Sequence, residues 1–298
     1  MEQLQQFYKN KRVLVTGGAG FIGSHLVEKL VELGAQVTIL DNFSTGKLRN
    51  LNTVLSKINI LYSDIRSEYS TRKATANKDI VFHLAAFISV PLSVQNPDFC
   101  RNTNELGTRY LLEGCLQNEV KSFIFASSSA VYGNKNAVCT EDDPVDPQSP
   151  YAHSKVVGEY YCKKYALEGE FNTAVLRYFN VYGSRQNPNG DYAAVVAKFK
   201  HNLLAGQPLT IFGDGSQRRD FVHVSDVVDA NLKIAMLPRV RGDIFNIGSG
   251  KSMTIFDLIT SLEEELQVKR TEITFAPART GDILYSQASC EKYKNTVL

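Results

Sequence analysis

Thr16-Gly17-Gly18-Ala19-Gly20-Phe21-Ile22-Gly23 decides the fold. Before it stands a short apolar run, residues 11–16 (KRVLVT), bounded too tightly for a helix and read as a buried strand. After it, Phe21, Ile22, Leu26, Leu30 and Leu33 recur at mostly helical spacing over 21–33. Residues 36–40 (QVTIL) form a second strand. Strand, glycine turn, helix and strand within about thirty residues make a βαβ unit, which requires a parallel sheet.

The alternation continues, with strands expected near 58–62, 79–84, 121–127 and 173–178 and helices near 97–117 and 151–167. After residue 180 turn signals crowd in: Asn187-Pro188-Asn189-Gly190, Gly206-Gln207-Pro208 and Gly213-Asp214-Gly215. Helices are expected there near 191–205, 225–236 and 254–266. The expected fold is α/β: a Rossmann-like, doubly wound parallel sheet with a smaller mixed α/β C-terminal lobe. Residues 1–180 form the dinucleotide-binding half and 181–298 the substrate lobe, with interleaving of the two left open. In such sheets ligands bind beyond the carboxyl ends of the strands, where a second lobe closes a cleft.

Within the glycine turn, Gly18, Gly20 and Gly23 fit G-x-G-x-x-G, and Gly17, Gly20 and Gly23 fit G-x-x-G-x-x-G. Either spacing lets the backbone approach a pyrophosphate at a helix N-terminus; a glycine-rich turn also serves packing alone. The flanking strand and helix favour a dinucleotide, with Phe21 and Ile22 opening the helix beside it. Asp41 stands eighteen residues beyond Gly23 at the end of the second strand. A carboxylate there accepts ribose hydroxyls and repels a 2′-phosphate, which favours NAD over NADP, although Lys47 and Arg49 stand near enough to meet a phosphate. Asp64, with Ile65, follows the third strand and is read equally as a loop cap and as an adenine contact.

The remaining composition excludes several classes. The 298 residues carry 33 basic and 31 acidic side chains, so no basic excess exists to neutralise a nucleic-acid backbone. No run of 18 apolar residues exists to span a membrane, and the first residues, MEQLQQFYKNK, lack the apolar stretch of a secretory signal. Cys100, Cys115, Cys139, Cys162 and Cys290 form no CxxC pair and read as free thiols of a cytoplasmic protein. The five histidines have no metal-ligand spacing, so no metal is expected.

Tyr151-Ala152-His153-Ser154-Lys155 places a phenol and an ammonium four residues apart, on one helix face, just after Pro150. An ammonium near a phenol favours the phenolate, which can act as a general base on a sugar hydroxyl. The pair alone is common by chance; its weight comes from the dinucleotide turn upstream. Ser127-Ser128-Ser129 ends the strand FIFA (123–126), where the cleft is expected, and turn chemistry accounts for two of the three.

Together these residues resemble the extended short-chain dehydrogenase/reductase family, in its nucleotide-sugar-modifying branch. The markers run in order from about residue 11 to about residue 292: TGGAGFIG (16–23), LDNFSTG (40–46), HLAA (83–86), SSSAVYG (127–133), YAHSK (151–155), LRYFNVYG (176–183), IFGDGSQRRDFVHVSD (211–226) and ARTGD (278–282). The resemblance implies an enzyme-held NAD that takes a hydride from C4 of a nucleotide sugar. It implies Tyr151 as base, Lys155 as the group tuning it and holding the nicotinamide ribose, and Ser128 as the hydrogen-bond partner of the sugar 4-oxygen. Asn42 and Ala85 lie in the cofactor markers LDNFSTG and HLAA; Asn180, Arg219 and Arg279 match contacts to the substrate diphosphate. The 4,6-dehydratases carry Asp-Glu after the serine and related decarboxylases a Glu, whereas Ser129 and Ala130 stand here and supply no acid or base. The implied activity is C4 epimerisation of a UDP-sugar, with a dehydratase or other sugar-nucleotide activity as the alternative. The run RQNPNGDYAAVVAKF (185–199) resembles epimerases that accept N-acetylhexosamines, and Ser286, at the family position closing the sugar pocket, leaves room for an N-acetyl group. UDP-GlcNAc/UDP-GalNAc, with or without UDP-Glc/UDP-Gal, are the expected substrates. A homodimer through the helices near 97–117 and 151–167 is implied as well. Family members continue past the segment matching Ala288–Lys292, so a naturally short or an incomplete ending is expected.

Overall fold

A computed structural model describes residues 2–169, 171–188, 195–270, 272–278 and 283–297. Twelve described strands follow in chain order: β1 (Arg12–Thr16), β2 (Gln36–Asp41), β3 (Asn59–Tyr62), β4 (Ile80–His83), β5 (Ser122–Ser128), β6 (Asn172–Tyr178), β7 (Asn180–Tyr182), β8 (Leu209–Phe212), β9 (Arg218–His223), β10 (Arg241–Ile247), β11 (Ser252–Thr254) and β12 (Ile273–Ala276). The described α-helices are α1 (Glu2–Tyr8), α2 (Phe21–Glu32), α3 (Glu68–Thr75), α4 (Val90–Gln95), α5 (Pro97–Arg101), α6 (Gly107–Gln117), α7 (Pro150–Gly169), α8 (Val195–Leu204), α9 (Val224–Ala235), α10 (Ile255–Leu266) and α11 (Glu291–Val297).

Seven strands form one sheet in the order β10-β6-β5-β4-β1-β2-β3. Every pairing in it is parallel. Parallel sheets need cover on both faces, and the strands show it: all of Ile80–His83 and six of seven residues of β5 are buried. One face carries α2 and α9, through Leu26, Val27 and Leu30 against Val227, Leu232 and Ile234. The other carries α6 and α7, through Leu111, Leu112, Cys115 and Cys162. Strand order reverses at β1, between β2 and β4, and so opens a crevice at their carboxyl ends.

The chain after residue 180 builds a separate small core from Val196, Phe199, Leu209, Ile211, Phe221 and Ile259, under strands β7, β9 and β11 and the pair β8 and β12. Helix α10 starts on a capping box: Thr254 Oγ1 accepts from the Asp257 N–H and Asp257 Oδ2 from the Thr254 N–H. The same half also returns to the large sheet, where β10 pairs with β6 and α9 covers β5 and β6.

Of the elements that differ from the sequence expectation, three have a plain physical reason. Strand β10 is hidden in the sequence because it opens on Arg241-Gly242-Asp243, where the register slips at a bulge. Helix α1 is too short to show a period, yet it buries Tyr8 completely and donates its hydroxyl to Leu232 O at 2.8 Å. The helix expected over 97–117 is broken by a π-helical turn, Asn102–Leu106, which turns Asn104 inward to bond both backbone groups of Phe87. The helix expected near 191–205 is seen as α8, its first residues lying outside the described residues.

Helix α7 lies close on β5 because Gly158 has no side chain: a Cβ there would sit 2.4 Å from Phe125 Cζ, which is buried. Gly158→Ala is therefore expected to overpack this seam and lower stability by about 1–3 kcal/mol, read by urea denaturation. An unchanged midpoint would show that the seam tolerates the methyl group.

Candidate active site

The glycine turn places the N-terminus of α2 on the end of β1. Gly17 has φ +68°. A Cβ there would lie 2.7 Å from the Ala85 nitrogen, and one on Gly23 would lie 2.1 Å from Gly17 O. Gly17, Gly20 and Gly23 face the crevice, whereas Gly18 abuts the Ile39 side chain of β2. Of the two glycine spacings in the sequence, G-x-x-G-x-x-G thus lines the cleft and Gly18 serves packing.

A cleft of about 330 Å³ crosses the carboxyl ends of the strands. Its wall holds Gly17, Gly20, Phe21, Ile22, Gly23, Asp41, Asn42, Asp64, Ile65, Ala85, Ser128, Tyr151 and Lys155, which six separate segments of the chain bring together. Asp41 is buried, and its two oxygens accept the N–H groups of Ala19 at 2.9 Å and Phe43 at 2.8 Å. Burial raises its pKa while those N–H groups pull it down. Asp64 both caps its loop and faces the cleft. It takes the Arg66 N–H at 2.8 Å, a two-pronged Arg66 guanidinium at 2.9 and 2.8 Å, and Asn42 Nδ2 at 2.8 Å. The guanidinium, first among these, holds the carboxyl at about 2.

At the other end, Lys155 Nζ donates to Ala126 O at 2.7 Å and lies 5.9 Å from the centre of the Tyr151 ring. Burial lowers the Lys155 pKa to about 8. Burial raises that of Tyr151, and a hydrogen bond with the Ser128 side chain opposes it. This differs from the depressed phenol expected from the pair: the ammonium is bound to a carbonyl, and desolvation outweighs it. Ser128 Oγ also accepts the Ala130 N–H at 3.2 Å. Ser127 turns to Glu159 instead, at 2.5 Å.

Among the cleft residues not singled out from the sequence, two carry unpartnered polar atoms. Thr103, in the π-helical turn, and Gln186 each have a buried side-chain oxygen, Oγ1 and Oε1, that lacks a hydrogen-bond partner while lining the cleft. Buried polar atoms are rarely left so, and a polar ligand in the cleft would complete them. Together with the glycine cradle and Asp41, they fit a bound dinucleotide. No periodicity marks Thr103, since its inward turn depends on the π-helical register.

A second cavity of about 140 Å³ is lined by Asn180, Thr210, Phe212, Gln217 and Arg219. Phe179 and Val181 line the main cleft while Asn180 between them lines this one, as alternation along a strand dictates. Asn180 Nδ2 donates to Asp220 O at 3.0 Å, and Arg219 Nη1 to Arg218 O at 3.0 Å. Ser286 is buried, donates its N–H to Arg218 O at 3.1 Å, and stands on the wall of neither cavity. Arg279 lies outside the described residues. Among the described residues no cluster of three His, Cys, Asp or Glu side chains could hold a metal ion, and no helix is long and apolar enough to cross a membrane.

Residues 13–248 match the NAD dependent epimerase/dehydratase family. The chain belongs to that family. Among solved structures of its members, a UDP-N-acetylglucosamine 4-epimerase from Methanobrevibacter ruminantium, in complex with UDP-N-acetylmuramic acid, is 39% identical with a TM-score of 0.92, over 97% of this chain and 92% of that one. A UDP-glucose 4-epimerase from Thermotoga maritima, with UDP-glucose, is 40% identical with a TM-score of 0.89, over 95% and 91%. A UDP-N-acetyl-alpha-D-glucosaminuronate decarboxylase of Bacillus cytotoxicus is 39% identical over 85% of this chain and 80% of its own.

The family's HLAA stretch begins on a histidine locked in the core. His83 Nδ1 meets Thr16 Oγ1 at 2.8 Å and Nε2 meets Thr108 Oγ1 at 2.9 Å. Thr108 spends its own proton on Asn104 O, so Nε2 carries the hydrogen and Nδ1 accepts. Burial lowers the pKa to about 3. The unfolded chain takes up this proton near the ordinary histidine value of about 6.5 and the folded one does not, so this group's contribution to stability falls as pH falls. The expected slope from His83 is about 1.4 kcal/mol per pH unit between about pH 6 and pH 4. Ring proton resonances that do not titrate from pH 8 to pH 5 would bear this out, and a midpoint near the ordinary value would refute it.

Proposed function

We propose that the protein is an NAD-dependent 4-epimerase of UDP-sugars that works through a transient 4-keto sugar. The observation that carries this reading is the convergence of Ser128, Tyr151 and Lys155 at one end of the cleft, followed by Ser129 and Ala130. Bound NAD supplies the acceptor and donor of the C4 hydride. The glycine turn offers backbone N–H groups and a helix N-terminus to its pyrophosphate. Asp41 keeps acceptor capacity for ribose hydroxyls and disfavours a 2′-phosphate. Thr103 Oγ1 and Gln186 Oε1 find partners in the filled cleft.

The Ser128 hydroxyl orients the sugar 4-oxygen and passes its hydrogen bond to Tyr151, which takes the proton as C4 is oxidised. Lys155 supplies the positive charge that favours phenolate, since the phenol alone is held protonated by burial. Elimination of water across C5 and C6 needs an acid and a base beside the serine, and Ser129 and Ala130 offer neither. The keto sugar is therefore re-reduced, and hydride return to its other face inverts C4.

Asn180 and Arg219 both line the second cavity, which supports reading them as contacts of the diphosphate, a task that suits a guanidinium fork; Arg279 is assigned to it by motif. UDP-GlcNAc/UDP-GalNAc are the preferred pair, with UDP-Glc/UDP-Gal also accepted. The name of the Methanobrevibacter ruminantium enzyme and the run at 185–199 support the N-acetylated pair. Ser286, at the family position that closes the sugar pocket, is read as leaving room for the N-acetyl group. The decarboxylase relative keeps a second reading in view. A second copy of the chain docking on α6 and α7 is supported by the exposed Leu116, Tyr160 and Leu167, and light scattering tests it. Five unpaired, buried cysteines suit a cytoplasmic protein.

Incubation with UDP-GlcNAc, followed by proton NMR, is expected to show UDP-GalNAc forming to equilibrium. A 4-keto-6-deoxy product, or release of carbon dioxide from a UDP-uronic acid, would overturn the reading. Tyr151→Phe is expected to lower kcat by about 10²–10⁴-fold while the dinucleotide stays bound.

A further inference from the structure

Tyr151, Lys155 and Glu159 stand four residues apart on α7 and so share one of its faces. Each reaches the last residues of β5. The Ser128 side chain hydrogen-bonds Tyr151, Lys155 Nζ donates to Ala126 O at 2.7 Å, and the Ser127 hydroxyl donates to Glu159 Oε1 at 2.5 Å. Helix and strand are thus joined by three successive rungs. The first two carry the groups read above as catalytic. Glu159, in the third, is not on the cleft wall.

The third rung is the most heavily built. Glu159 and Arg177 form a buried ion pair, their side chains only 7% and 3% exposed. Arg177 Nε donates to Oε1 at 2.9 Å and Nη2 to Oε2 at 2.7 Å. Arg177 stands on β6 directly opposite Ser127 of β5. Its guanidinium lies 4.6 Å from the Tyr132 ring, whose hydroxyl donates to Asn246 Oδ1 of β10 at 2.6 Å. A buried ion pair is a poor source of stability, because desolvation of the two charges offsets their attraction and apolar residues of like volume do as well. What such a pair does supply is direction: a two-pronged fork accepts one alignment of its carboxylate.

We propose that Glu159 and Arg177 are positioning residues, which lock α7 against β5 in the one alignment that sets Ser128 on Tyr151 and Lys155 on Ala126. The proposal rests on the reading of Ser128, Tyr151 and Lys155 as the catalytic set. Glu159 also acts on charge. Lys155 faces Cys100 from α5, His83 from β4, and Tyr151, Glu159 and Cys162 from its own helix. Burial pulls the ammonium down to about 8, and Glu159 works against that. Loss of the carboxylate therefore moves deprotonation of Lys155 to lower pH.

C4 epimerisation by the wild-type enzyme is measured first; its absence would refute the catalytic reading, independently of this one. Three variants then test the positioning. Glu159→Leu with Arg177→Met removes both charges together, and is expected to keep the melting temperature, bound dinucleotide and KM for the UDP-sugar while kcat falls about tenfold or more. Ser127→Ala leaves the ion pair intact and is expected to lower kcat about threefold with KM unchanged. Glu159→Gln is expected to shift the alkaline limb of the kcat–pH profile to lower pH. A double variant and a Ser127→Ala variant that both keep kcat within about twofold of wild type would overturn the proposal. So would losses in kcat that merely follow losses in melting temperature. Should the double variant fail to fold, Ser127→Ala decides.

Discussion

The close approach of Gly23 to the carbonyl of Gly17 sets the geometry on which the rest depends. With 2.1 Å between that oxygen and the place a Cβ would take, no side chain fits, and the helix start is pressed onto the strand end. At Gly17 a Cβ would in turn lie 2.7 Å from the Ala85 nitrogen, beyond β4, so the glycine turn packs tightly against the loop after β4 at the reversal of strand order. All seven strands then deliver their carboxyl ends to one side of the sheet. Residues as distant in sequence as Asp41, Ser128 and Tyr178 come to one wall for this reason alone.

The cleft is electrically uneven. Toward the loop after β3, Asp64 is a fixed negative charge, held by Arg66 and reaching Asn42. Toward β5, desolvation governs: it raises the phenol of Tyr151, brings the Lys155 ammonium to about 8 and keeps His83 neutral. The polar groups there are already engaged by the protein, Lys155 by Ala126 O and, behind the wall, His83 by two threonines.

Much of this was legible in the residues. A run such as VLV followed by TGGAGFIG can be a strand and a turn and little else, and the parallel sheet follows from the helical period after it. The wall of the cleft was legible because many of its residues stand at or just beyond a strand's carboxyl end, Asp41 closing β2 and Ser128 closing β5. The phosphate turn was legible as glycine but not as a choice between two spacings, since that depends on Ile39 lying behind Gly18. Thr103 stayed hidden because a π-helical turn shifts which side chains face inward, and no apolar period records the shift. Strand β10 stayed hidden because its first residues are polar and its pairing partner lies some seventy residues earlier. The setting of Ser286 was not legible either: its N–H is held by Arg218 O beside the bridge between Arg218 and Tyr285, a contact that motif spacing does not encode.

That seventh strand has a mechanical consequence. Residues 241–247 are paired along β6, in unbroken register from Ala174 to Tyr178 once past the bulge at Gly242, so the later half of the chain is sewn into the sheet of the earlier half. The two cannot swing apart as jaws about a hinge without tearing a buried β-ladder, whose cooperative loss amounts to unfolding. Entry and exit of anything the size of a nucleotide sugar must then be governed by rearrangement of loops at the rim, over a floor that stays rigid. An enzyme that holds its cofactor on that floor through successive turnovers and exchanges only the sugar has a use for this division of labour.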